Sequence, residues 1–201
     1  LTVASYRYIL SADTARAILA QLWLAATRVT SRMLALCVGI SLGGGTVLSM
    51  VTTRAHGWWN LHFSELGTYT DFSGRAFNGT LIVTGLIIVA FAVRLHVDMR
   101  ALTTLSAWMT RVVLVLFTSL GINLLGVGVG PLNTNEVLHD RGASGVTLSF
   151  LCLLILVTAR PRRFSRRLIV VTVLTMAVLA AVIVAFSIGI INLALLEIVA
   201  F

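Results

Sequence analysis

The chain has 201 residues, 58% of them hydrophobic and only 11% charged, with a mean hydropathy of +1.00. A soluble domain carries roughly a quarter charged residues, so water is excluded as the main solvent of this chain. Its formal net charge is +8 and every basic residue is arginine. The arginines lie in short connections between apolar runs, where basic excess sets membrane orientation, so no nucleic-acid partner is expected.

Residues 1–32 form a basic segment that does not span, carrying Arg7, Arg16, Arg28 and Arg32 against Asp13. From Ser11, a candidate N-cap, Ile18, Leu19, Leu22, Trp23 and Ala26 recur at helical spacing, which predicts an N-terminal interfacial helix with Trp23 near headgroup level. The start lacks the pattern of a cleavable signal peptide, so the first span is expected to direct insertion itself.

Residues 33–201 read as a single all-α transmembrane helix bundle. Spans are predicted over residues 33–51, 77–93, 112–129 and 142–159, and a fifth begins at Leu168. The apolar run from Leu168 continues to Phe201, and as one straight helix it would be about 51 Å long, more than one bilayer crossing needs. A break is therefore expected between Ile188 and Glu197, where Gly189 and Asn192 fall. Glu197 then comes to the outer interface, hydrated or paired with Arg75 or Arg141, and residues 198–201 read as the start of a sixth span.

Orientation follows from the connections. Residues 1–32, 94–111 and 160–167 are arginine-rich and belong inside, so the N-terminus is expected to be cytoplasmic and the protein a multi-pass protein of the cell membrane. Residues 52–76 and 130–141 are mixed in charge and belong outside.

These two outer loops carry four of the seven acids, Glu65, Asp71, Glu136 and Asp140, and three of the four histidines, His56, His62 and His139. With Ser64, Asn78 and Asn135, all of these except His56 make a candidate outer-face polar cluster. One reading is simple solvation, with Trp58, Trp59 and Tyr69 as an interfacial aromatic belt. A second has the two loops folding together over an outward-facing cavity. A third gathers His62, Glu65, Asp71, His139 and Asp140 around zinc, since imidazole and carboxylate can hold a metal that activates water. No HExxH or comparable spacing is present, so no metal or other cofactor is assigned.

Within the spans, Asn123, Ser41, Thr84, Ser144 and Ser149 are expected to make interhelical hydrogen bonds. The middles of the first four spans hold no charged residue, which disfavours an ion-coupled transporter. Gly39 with Gly43, and Gly126 with Gly130, are small-xxx-small pairs suited to close helix packing. Cys37 and Cys152 lie in apolar runs with no metal or disulfide spacing around them.

Ser64-Glu65-Leu66-Gly67, Phe77-Asn78-Gly79, and Gly126-Val127-Gly128-Val129-Gly130-Pro131 followed by His139 resemble a bacterial six-span membrane family catalogued as domain of unknown function 998. The resemblance runs from about Met33 to Glu197. It implies a six-helix bundle whose outer face shares Ser64, Glu65, Asn78, Pro131 and His139, and it implies no activity. The chain departs from the family pattern in residues 1–32 and in ending where a sixth span is expected. The function expected on these grounds is a non-catalytic accessory or scaffold subunit of a larger membrane assembly, or a lipid-binding bundle, with membrane lipids as partners. A metal-dependent hydrolase at the outer loops is the alternative, and a small-molecule or lipid transporter the third reading.

Overall fold

The computed structural model describes residues 29–55, 57–102 and 105–200. The interfacial helix expected between Ser11 and Thr30 lies outside them, apart from Val29 and Thr30 at its end. The described residues form six α-helices and no strand: α1 Ser31–Thr52, α2 Phe72–Arg100, α3 Ala107–Val129, α4 Glu136–Ala159, α5 Arg166–Ser187 and α6 Leu193–Ala200. Helices α1 to α5 are long and apolar enough to cross a membrane, which makes this a multi-pass membrane protein.

Each span extends further than its apolar run, because polar residues cap it beyond the hydrophobic stretch. Thr30 accepts the Met33 N–H at 3.2 Å, Asn135 that of Leu138 at 3.0 Å, and Ser165 that of Leu168 at 3.3 Å. Asp71 accepts from the Ser73 and Gly74 N–H groups at 3.0 and 3.3 Å, so α2 starts at Phe72 instead of Phe77. At the far end of α3 the Gly130 N–H closes the last turn onto Gly126 O at 3.0 Å, and Pro131 cannot continue the ladder.

Helices α1 to α4 pack in chain order, each against the next. Glycine permits the closest approach, between α2 and α3. A Cβ on Gly85 would lie 2.5 Å from Gly121 O, one on Gly121 would lie 2.7 Å from Gly85 O, and one on Gly128 would lie 2.7 Å from Asn78 O. Gly142 of α4 meets Asn123 O of α3 in the same way, at 2.9 Å. The expected small-residue pairs are placed differently: Gly39 and Gly43 have no atom within 4 Å of where a Cβ would stand, and Gly126 has ordinary contact only. Gly130 is close-packed, but against the Leu138 side chain and not a neighbouring backbone. The reason is rotational, since only the face of α1 carrying Gly45 turns toward α2, where Thr80 fills the space.

Polar groups within the spans bond across helices, as the low-dielectric surroundings require. Ser41 and Thr84 join α1 to α2 at 2.9 Å, and Ser49 donates to Ser73 O at 2.8 Å. Ser149 of α4 donates to Ser119 of α3 at 2.9 Å, whereas Asn123, expected to bond between helices, donates to Ser119 O of its own helix at 2.8 Å, and Ser144, expected to do the same, is exposed. At the end holding the α2–α3 and α4–α5 connections, Asp98 accepts from Ser31 Oγ and pairs with Arg94 at 3.0 Å. The Arg160 guanidinium lies over the Trp108 ring, 5.7 Å from its centroid.

Helix α5 is attached loosely to the others, and Thr172 is its one buried residue. Its expected break is present. Gly189 has φ +75, its N–H donates to Phe186 O at 3.0 Å, and the Ile190 N–H donates to Ala185 O at 2.9 Å. That pair of bonds is a Schellman closure, which places a left-handed residue just past the helix end, where glycine carries no Cβ penalty. Asn192 then starts α6 by accepting the Leu195 N–H at 3.0 Å.

Candidate functional site

The end of the bundle opposite Arg160 is closed by the first long connection, which folds into two 3-10 turns, Trp58–Asn60 and Phe63–Thr68. Alternation of large apolar residues with polar ones drives this segment inward as a plug. Trp58, Phe63 and Leu66 are buried together with Phe77 and Leu81 of α2 and Leu124 and Val127 of α3. The Phe63 ring meets Phe77 edge-on with centroids 5.2 Å apart, and Trp58 lies 6.2 Å from Phe63. Each such side chain contributes about 1.5–3 kcal/mol on burial, enough for three of them to hold the plug in place.

Polar bonds from three directions fix its backbone. Asn78 of α2 donates to Gly67 O at 2.8 Å, and Gly67 leaves room for it: a Cβ there would stand 2.6 Å from Asn78 Oδ1. Asn133, in the α3–α4 connection, donates to Thr68 O at 3.0 Å, so the α1–α2 and α3–α4 connections touch, as expected. From α6, Glu197 accepts the Phe63 N–H and Asn192 Nδ2 donates to Trp59 O. Glu197 thus lies level with the first long connection, and its partner is a backbone amide in place of Arg75 or Arg141.

The sequence-derived cluster divides into parts. His62, Ser64 and Glu65 come together on the plug: His62 Nδ1 lies 3.1 Å from Ser64 Oγ, and His62 Nε2 lies 3.3 Å from Glu65 Oε2. Thr68 Oγ1 donates to Glu65 O at 2.8 Å and reaches Glu65 Oε1 at 3.3 Å, which orients that carboxylate. Asp71 faces its own helix end, where the Ser73 hydroxyl donates at 2.6 Å. That bond holds the Asp71 carboxyl below the usual range against the opposing effect of desolvation, and the Gly74 and Ser73 amides and the Arg54 charge add to it. Tyr69 between them is pushed up, first by burial and then by the negative charges of Glu65 and Asp71.

His139 is buried and its Nδ1–H donates to Gly130 O at 3.2 Å, tying the first turn of α4 to the end of α3. Asn135 serves as the α4 cap, and it, Glu136 and Asp140 are exposed. His56 lies outside the described residues. The ligand set for the zinc reading is therefore not assembled: among the described residues, no three of His, Cys, Asp and Glu stand close enough to share a metal ion.

Sequence reasoning missed Asn133 and Asn192 as residues of this end. Asn192 carried a usable signal, since an asparagine directly before an apolar helical run is a capping pattern. Nothing local marks Asn133 as a partner of Thr68, 65 positions away.

A family model described as "Protein of unknown function (DUF998)" matches residues 33–201. No curated protein and no solved structure matches the chain.

Proposed function

Because this chain belongs to the DUF998 family, whose description assigns no activity, we propose its function from the geometry of the plugged end: a non-catalytic membrane bundle that holds lipid against its spans and acts as an accessory or scaffold subunit of a larger membrane assembly. One observation carries this reading. The polar side chains that would build a reaction centre are committed to structure, with Asp71, Asn78, Asn133, His139 and Glu197 each bonded to backbone. A site so arranged closes the bundle and leaves few groups to act on a substrate. The loosely attached α5 adds support, because a helix with one buried residue presents nearly its whole circumference to lipid or to another subunit.

The arginine distribution supports a cell-membrane orientation with the start of α1 and the Arg160–Arg167 connection in the cytoplasm and the plug outside. Purification in mild detergent, with identification of every co-purifying protein and lipid, tests the function. A chain that purifies alone and delipidated while remaining folded would count against it.

A second reading, hydrolysis at the outer face, is favoured by the position of His62 between Ser64 and Glu65. With Nε2–H directed at Glu65, Nδ1 can take the proton of Ser64 as its oxygen attacks an ester carbonyl, and Glu65 stabilises the resulting imidazolium. Labelling of the purified protein by a fluorophosphonate probe, abolished in Ser64→Ala, would favour this reading over the first.

A further inference from the structure

The flank of the bundle between α1 and α2 contains a long open groove of about 760 Å³. Ile40 and Leu48 of α1 and Phe72 and Val83 of α2 form apolar walls, and Gly79 forms part of the floor, with no atom within 4 Å of where its Cβ would stand. Ile40, Phe72 and Val83 are 73%, 55% and 50% exposed, so the walls are not closed over by any described part of the chain. At the plugged end of this groove stands Arg75.

Arg75 is hard to explain by the needs of the fold. It lies in the first turn of α2, where the helix dipole disfavours a cation. It is exposed, and its guanidinium has no hydrogen-bond or ion-pair partner among the described residues. The nearby carboxylate, Asp71, is occupied by Ser73 and Gly74 and is also influenced by Arg54. Arg75 therefore carries a positive charge with no acid bonded to it among the described residues. From Arg75 to Val83, eight residues of helix give the groove a length of about 12 Å along the α2 axis.

A cation at interfacial height above an apolar trough of that length matches one kind of molecule, with an anionic head and a hydrocarbon tail. We propose that the α1–α2 groove is a binding site for a phospholipid of net negative charge, its phosphate on Arg75 and one acyl chain lying over Gly79 between α1 and α2. The guanidinium can donate two parallel N–H bonds to phosphate oxygens, and the positive end of the α2 dipole, unfavourable for Arg75 alone, then faces an anion. Ser41, which lines the groove, is bonded to the buried Thr84 beneath it, so its hydroxyl is not presented unpaired to the acyl chain. This inference rests on the lipid-holding reading and gives it a location and a lipid class.

The test is native mass spectrometry of protein equilibrated with equal amounts of phosphatidylglycerol and phosphatidylcholine in mixed micelles. Wild-type protein should retain phosphatidylglycerol preferentially, and Arg75→Gln should reduce that retention about tenfold, the loss of one charge-assisted contact. Gly79→Leu, whose Cβ would meet no atom within 4 Å and which keeps its fold by circular dichroism if the groove is open, should reduce retention of both lipids. Arg111→Gln at the opposite end should change neither. Retention of phosphatidylglycerol equal to wild type in both Arg75→Gln and Gly79→Leu overturns the site while the lipid-holding reading stands. Wild-type protein that retains no phospholipid overturns the reading and the site together.

Discussion

Glu197 accepts a hydrogen bond from the backbone amide of Phe63, across 134 positions of sequence. A carboxylate of the last helix therefore fixes the turn that carries the buried ring at the centre of the plug. Removing it as Glu197→Ala should weaken the plug by about 1.5–3 kcal/mol, the range for a hydrogen bond to a charged group. Glu197→Gln keeps an acceptor and should lose less. Hydrogen exchange of amides 61–68 reports the change, and protection equal to wild type in Glu197→Ala would show that α6 is not a support of the plug.

The α2–α3 seam makes a second, sharply differential prediction. Gly121→Ala places a methyl 2.7 Å from Gly85 O, a backbone atom that can yield only if the helices part, so the cost should be about 1–3 kcal/mol. Gly43→Ala meets no atom within 4 Å and should fall within about 0.5 kcal/mol of wild type. Unfolding in detergent by sodium dodecyl sulfate titration compares them, and equal effects would remove the close contact as the reason for Gly121.

Asp71 makes the start of α2 pH-dependent. Its carboxyl is held below the usual range, chiefly by the Ser73 hydroxyl, so the stabilisation is complete above about pH 4 and is lost as pH falls through the lowered value. Exchange of the Ser73 and Gly74 amides should therefore stay slow through neutral pH and quicken only in stronger acid, after correction for intrinsic rates. In Asp71→Asn, which retains a cap without a titrating group, that acid step should disappear. An unchanged step would assign it to another residue.

Orientation is tested by single cysteines in a background lacking Cys37 and Cys152. An impermeant maleimide applied to intact cells should label a cysteine placed at Thr70 and leave one at Ser165 unlabelled until the membrane is opened. The reverse pattern would invert the protein in the membrane.

Hydropathy made the five spans legible because each apolar run is long and its charges are outside it. Their ends were less so: α2 and α4 begin five and six residues earlier than the apolar runs, since Asp71 and Asn135 cap helices whose first turns are polar. The break after α5 was legible from length and from Gly189. The Gly39–Gly43 pair misled, because spacing says that small residues share a face and not which neighbour that face meets. The plug itself reads in the sequence as a loop; its 3-10 turns exist because Phe77, Leu81, Leu124 and Val127 offer a cavity for Trp58, Phe63 and Leu66. His62, Ser64 and Glu65 were within reach as a group, being neighbours in sequence, whereas Asn78 to Gly67 and Asn133 to Thr68 depend on how the helices assemble.

The two bonds from α6 also set an order of events. Trp59 and Phe63 are made soon after α1, yet their partners Asn192 and Glu197 are 133 and 134 residues later. Helices α1 to α4 can associate as they arrive, since each packs on its predecessor, but the plug must wait with part of its support missing until α5 has crossed and the chain has turned at Gly189. During that interval the aromatic side chains of the plug depend on Phe77 and its neighbours alone. Bonding of the plug to Asn192 and Glu197 is thus the late part of its closure, and it waits on the turn at Gly189.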